Sequence, residues 1–312
     1  MTKKLKSQSK TERSLNQIVA NFAILNANRS VLYAASWLSK LGASIVGISS
    51  MKEVSALKNK PLAVLVAGDT TLGLQIEDID VPVMYLWDFE VGQSGVGAFA
   101  SAVSGVSSVI GKAKSAPGVL PVNMPEQWTG IFGASLALGL LFEKSDTQTE
   151  KPARIDVSAA DVLRAFAEQN SGNHAGVPYG WRRNGLTAVE HGGVFPQGFF
   201  SCKDGYVAVQ ARSRQDWLAI LSVFGNPKWS EDHSMQNPFK LSEDDSKVMP
   251  HFQAELNKLT MDELLEYALV KGAPMAPVLS SLEAVSAEIF REGFIDPKGD
   301  VNIPFINKRF LK

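Results

Sequence analysis

A single cysteine, Cys202, stands in the 312 residues, so the chain cannot close a disulfide on itself and reads as a protein of a reducing, cytoplasmic compartment. Histidine is nearly as scarce. The four present, His174, His191, His233 and His251, are nowhere spaced as metal ligands, and no metal is expected. Charge of one sign is missing as well: 31 Lys and Arg stand interspersed among 32 Asp and Glu, which excludes the basic footprint that a nucleic acid needs. No apolar run reaches the length of a membrane span. The segment "IVANFAIL" after the basic start is broken by Asn21 and is too short even for a signal-peptide core. The glycines of "GQSGVGAFASAVSGVSSVIG" make no dinucleotide fingerprint, and Val96 stands where a hydrolase elbow after Ser94 would need its second glycine.

What is present is enough apolar material, 45% of the chain, for a proper core, at a length that favours two domains. Helix-period and strand-like segments alternate: "SVLYAASWLSKLGASIVGIS" is a helix running into a strand, and "PLAVLVAG" and "VPVMYLW" are buried strands. Such alternation predicts a doubly wound, Rossmann-like parallel sheet in a large α/β domain over residues 16–175, after a flexible basic arm at 1–15. "PEQWTGIFGASLALGLLFEK" reads as a long amphipathic helix opened by Pro125 and Glu126, and the small residues of "AFASAVSG" as a helix built for close packing. Beyond residue 175 the texture changes. Gly- and Pro-rich loops, a strand in "GYVAVQA", a helix in "RQDWLAILSVFG", a charged excursion "SEDHSMQNPFKLSEDDSK" and a helix with a capping box at Thr260 and Glu263 predict a smaller α+β domain over 176–290, with a tail at 291–312.

The most informative stretch is "RIDVSAADVLRAFAEQN". Arg154 to Val157 alternates as a strand, and Val162, Leu163, Ala165 and Phe166 begin a helical stripe, so Ser158 falls at the N-cap and Asp161 three residues on. An acid there is favoured by the helix dipole, and a cap needs nothing more. The same address also suits a nucleophile.

In order and spacing, "WLSKLGASIVGI", "AFASAVSGVSSVIG", "PEQWTGIFGASLALGLL", "IDVSAADVL", "CKDGYVAV" and "GAPMAPVLSSLEAV" resemble the class III CoA-transferases, the family that includes formyl-CoA transferase, carnitine CoA-transferase and α-methylacyl-CoA racemase. The resemblance implies that fold, a dimer of interlaced chains, coenzyme A as co-substrate, and an acyl-CoA and a carboxylic acid as partners. It also implies that Asp161, in the position of the V-S-x-x-D aspartate, is the nucleophile, forming a mixed anhydride and then an aspartyl-CoA thioester. "EHGGVF", with Gly192 and Gly193, resembles the family's glycine loop over the reacting carboxylate, where glycine permits close backbone approach.

Departures from the family pattern keep two other readings open. Ser30, Val31 and Leu32 replace the A-G-P turn that grips CoA, and no arginine stands around Gly47 to Ser50 or Gly68 to Thr71, as in a non-catalytic or partner-dependent subunit working in a hetero-oligomer. Asp156 matches the aspartate of the racemase branch, yet no histidine stands ahead of Ala98, where that branch needs its second acid/base group. Arg182 and Arg183 read as a solvated loop pair, His191 as a loop histidine, and Trp37, Trp128 and Trp217 as core.

Overall fold

The computed structural model describes residues 20–68, 79–112, 114–142, 154–169, 183 and 194–286. They fall into two compact units. One comprises the residues up to Val106 together with Val119–Ala167, the other Ser107–Gly118 and the residues after Ala167. The basic arm, the tail, Arg182, His191, Gly192 and Gly193 lie outside the described residues.

In the first unit the chain runs through β1 (Asn21–Leu25), α1 (Arg29–Lys40), β2 (Ser44–Ile48), a 3-10 turn at Met51–Ala56, β3 (Ala63–Ala67), β4 (Val83–Trp87) and α2 (Gly97–Val103). After α3 (Val106–Val109), which straddles the division, come α4 (Met124–Gly139), β5 (Arg154–Ser158) and α5 (Ala159–Gln169). The five strands form one parallel sheet in the order β2-β1-β3-β4-β5. Every residue of β3 and β4 is buried, because their alternate side chains enter two different cores. Ala63, Leu65, Met84 and Leu86 pack beneath α1 and α4, whereas Val64, Val66, Val83, Tyr85 and Trp87 face Met51 and Val54 of the 3-10 turn. The expected α/β parallel sheet is thus present. β1 is the strand inside "IVANFAIL", a run whose sequence signalled only that it was too short for a membrane.

Asn28 starts α1: its side chain accepts from Val31 N–H, and its amide donates to Leu86 O at 2.7 Å, tying the helix to β4. Val31, Ala34, Ala35 and Leu38 then recur at helical spacing and are buried. α4 crosses α1 closely at Gly130, where a Cβ would lie 2.6 Å from Tyr33 Cβ and 2.9 Å from Ala34 N and Ser30 O. α4 is less amphipathic than expected: on its outer face Ile131, Phe132 and Leu136 sit exposed beside Gln127 and Ser135.

The second unit carries β6 (Gln197–Ser201), β7 (Tyr206–Gln210), α6 (Arg214–Val223), α7 (Pro238–Leu241), α8 (Met249–Leu256), α9 (Met261–Lys271), β8 (Met275–Pro277) and α10 (Ser281–Ser286). Its antiparallel sheet, β6-β7-β8, packs on a core centred on Trp217, Phe195 and Phe252, whose rings meet edge to face at 5.4 and 5.5 Å. Thr260 and Glu263 make the expected capping box of α9. Two expectations need correction. "QGFFS", at the end of the Gly- and Pro-rich stretch read as loops, is the strand β6, and the charged excursion leads back inward through α7, with Leu241 and Val248 buried. Among the described residues no helix is long and apolar enough to cross a membrane.

Candidate active site

At the carboxyl end of the parallel sheet, β5 runs directly into α5 with Ser158 at the junction. The first turn of the helix is anchored from two sides. Ala160 N–H donates to Phe89 O at 2.9 Å, and Asp161 N–H to Ser158 Oγ at 3.1 Å. Ala159, Ala160 and Leu163 are fully buried against Ala100 of α2, with Phe89 and Trp128 packed alongside. That buried stripe turns Asp161 outward, with 55% of its side chain exposed. The carboxylate does not reach the Ser158 backbone, as a full capping box would require. Its Oδ2 accepts from Ser158 Oγ at 2.6 Å and its Oδ1 from Arg164 Nη1 at 2.9 Å. Half the box is present, and both oxygens are held by donors as an ionised carboxylate prefers. The Ala160 and Asp161 N–H groups have partners of their own, so the donors at the carboxylate are the Ser158 hydroxyl and the Arg164 guanidinium.

Arg164 is also held from outside its helix. Nη2 donates to Glu90 Oε1 at 2.6 Å, and with Glu90 first and Asp161 second, these bonds raise the guanidinium pKa above its ordinary value. Gln93 Nε2 donates to Glu90 Oε2 at 3.3 Å. Sequence reasoning missed this cluster. The three-residue spacing of Asp161 and Arg164 could have signalled one half of it; Glu90 lies 74 positions away and left no local trace.

Asp156, the racemase candidate, is committed to structure. Arg154 grips it through Nε at 2.8 Å and Nη2 at 3.1 Å while stacking over Tyr85, and Trp87 Nε1 donates to it at 3.0 Å. Burial is the largest influence on the Asp156 carboxyl and pushes its pKa up, but the Arg154 and Trp87 bonds together outweigh it and leave the value lowered. Val96 is the N-cap residue of α2 and is exposed. Glu126, 2% exposed, accepts from Gly97 N–H at 2.9 Å and so holds the start of α2 against which Ala159 and Ala160 pack. Arg183 is not simply solvated: Nη1 donates to Ser108 O at 2.8 Å, and Nε is buried without a partner.

The start of α1 stands at the same carboxyl edge, beside the end of β4. Asp88 occupies it, accepting from Arg29 N–H at 3.2 Å, Ser30 N–H at 3.0 Å and Ser30 Oγ at 2.6 Å. A phosphate would meet that carboxylate rather than free N–H groups. The cation there is Arg29, exposed, its guanidinium resting on the amide oxygen of Asn123. Among the described residues no group of His, Cys, Asp and Glu is arranged to hold a metal ion.

A family model, CoA-transferase family III, matches residues 90–298. The chain belongs to CoA-transferase family III. The succinyl-CoA:glutarate CoA-transferase of Mus musculus is 23% identical over 274 residues, covering 84% of this chain and 61% of that protein. Its Homo sapiens counterpart is 24% identical over 261 residues, covering 78% and 56%. The chain therefore spans less than two thirds of the length of the curated relatives it matches. Among solved structures, a CaiB/BaiF family protein from Brucella suis superposes with a TM-score of 0.71 at 14% identity, covering 92% of this chain and 91% of that one. A hypothetical protein from Mycobacterium tuberculosis does so with a TM-score of 0.71 at 14% identity, covering 92% of each. These two likenesses concern the fold of CoA-transferase family III proteins, which this chain shares.

Proposed function

We propose that the chain moves CoA between an acyl-CoA thioester and a carboxylic acid, with Asp161 as the covalent carrier. One observation supports it above the rest: a half-exposed carboxylate fixed by donors at the first turn of a helix, on the carboxyl edge of a parallel sheet, where α/β folds place their ligands. Asp161 attacks the thioester carbonyl, the C–S bond breaks, and a mixed anhydride forms. The released thiolate attacks the aspartyl carbonyl of the anhydride, freeing the first acid and leaving an aspartyl-CoA thioester. A second acid reverses the sequence. Ser158 Oγ–H and the Arg164 guanidinium are the donors that hold the carboxylate before attack. In this reading Gly192 and Gly193, which lie outside the described residues, are the counterparts of the family's glycine pair, and Arg29, exposed at the start of α1, is a cation open to a CoA phosphate. We place the protein in the cytoplasm, on the strength of its one cysteine, and as a homodimer, for which the apolar outer face of α4 speaks.

The test is intact mass after incubation with a panel of acyl-CoA thioesters that includes succinyl-CoA, followed by turnover with acids that include glutarate. A CoA adduct on wild type, trapped by hydroxylamine as a hydroxamate in the peptide from Ile155 to Arg164, is expected, and none on Asp161→Asn. Equal turnover by Asp161→Asn would sink the carrier role. A wild type inert toward every thioester would instead favour the partner-dependent subunit, a reading that Asp88 supports by filling the start of α1.

A further inference from the structure

Arg164 is fixed between two carboxylates that come from different parts of the chain: Glu90 holds Nη2 at 2.6 Å, and Asp161 holds Nη1 at 2.9 Å. The Glu90 side chain is 26% exposed and that of Asp161 55%, so the guanidinium is pinned on its more enclosed side and meets the nucleophile on its more open one. At rest the trio carries one net negative charge. When Asp161 is acylated that charge is lost; the oxygen left facing Nη1 becomes that of a neutral carbonyl, a weaker acceptor than a carboxylate. Glu90 keeps the guanidinium from following any other partner. An anion of the same planar shape as the carboxylate that left restores that charged bond better than water or the neutral carbonyl does, and the acid co-substrate is one.

We propose that Arg164 is the binding residue for the carboxylate of the acid co-substrate, an inference that rests on Asp161 as the carrier of CoA. Nη1 passes from Asp161 to the incoming carboxylate once Asp161 is neutral. The acid's free oxygen attacks the aspartyl thioester, the C–S bond breaks, and the thiolate leaves. That thiolate then attacks the acyl carbonyl of the new anhydride, the C–O bond to Asp161 breaks, and the freed aspartate carboxylate returns to Nη1. No proton or electron is gained or lost over the two steps. A plain helix-surface ion pair, by contrast, would have no bearing on the acid at all.

Asp161→Asn imitates the neutral state without needing turnover. Titrated with acetate and followed by NMR, this variant is expected to bind at least about tenfold more tightly than wild type, whose own carboxylate competes for the guanidinium. The added Arg164→Gln exchange should abolish the gain, and Arg164→Lys should keep part of it. In an otherwise wild-type chain, Arg164→Gln should raise the KM for the acid about tenfold or more, a larger factor than any change in the KM for acyl-CoA, and Arg164→Lys should recover part of the loss. Equal acetate affinity in wild type and Asp161→Asn, or an unaltered acid KM in Arg164→Gln, overturns the assignment while the adduct still forms. A wild type that forms no adduct overturns the carrier role itself, and this inference with it.

Discussion

Asp156 and Asp161 lie five positions apart and live under opposite constraints. Asp156 is closed in by Arg154, Trp87 and Tyr85, whereas Asp161 faces outward from its helix. A carboxylate whose pKa is lowered in the fold contributes stability that is fully present above the unfolded value and is lost as pH falls through the folded one. Asp156→Asn keeps an acceptor for Trp87 but removes the negative charge that faces Arg154, which should cost about 1 kcal/mol at pH 7. Urea unfolding should show that gap closing below about pH 4, near the ordinary aspartate pKa. The same commitment argues against racemase chemistry, so wild type in heavy water should leave a 2-methylacyl-CoA without deuterium. Incorporation that disappears in Asp156→Asn would reverse this. At this scale the cap contact of Ser158 and Asp161 was legible in the sequence, because its spacing is local. Glu90 and Asp88 were invisible, since their partners lie 74 and 58 positions away and only the sheet brings them together.

Elements follow from local pattern where burial is simple. β3 and β4, covered on both faces, are unbroken apolar runs and announce themselves, as does α9 through its capping box. β1 does not, because Asn21 heads a strand of only five residues, and α8 opens with Pro250 over too short a stripe for its period to show. The crossing of α1 and α4 depends on a property no periodicity reveals, the lack of a side chain at Gly130. Gly130→Ala would press a methyl group on backbone atoms of α1 and should lower stability by about 1–3 kcal/mol. Gly139, in the same helix, has nothing within 4 Å of its missing Cβ, so Gly139→Ala should be neutral or stabilising by up to about 1 kcal/mol. Chemical denaturation of the pair separates close packing from helix propensity; equal effects would mean that the crossing is looser than described. Because Ser30 at the crossing also binds Asp88, Gly130→Ala should disturb the start of α1 as well.

For the whole molecule, balanced charge has a consequence beyond excluding nucleic acid: with 31 basic and 32 acidic residues, no net field opposes the meeting of two copies. The parallel sheet and its α/β class were legible from alternating segments, since both depend on local pattern repeated along the chain. Self-association was implied only by resemblance, because apolar residues destined for a core and for an interface look alike in sequence. α4 shows the difficulty: its inner face, Gly130, Gly133, Ala134 and Ala137, is buried, while Phe132 and Leu136 are 41% and 46% exposed in a single chain. Phe166 of α5 meets Phe132 at 6.3 Å between ring centroids, so the exposed face continues from one helix to the next. Leaving such a face in water forgoes roughly 25 cal/mol for every Å² that a partner would cover. The homodimer proposed above therefore predicts a sedimentation-equilibrium species of twice 33.8 kDa at micromolar concentration, persisting at high salt because its driving force is apolar. A monomer under those conditions would count against the homodimer and leave the face of α4 for a different chain, the arrangement that a partner-dependent subunit requires.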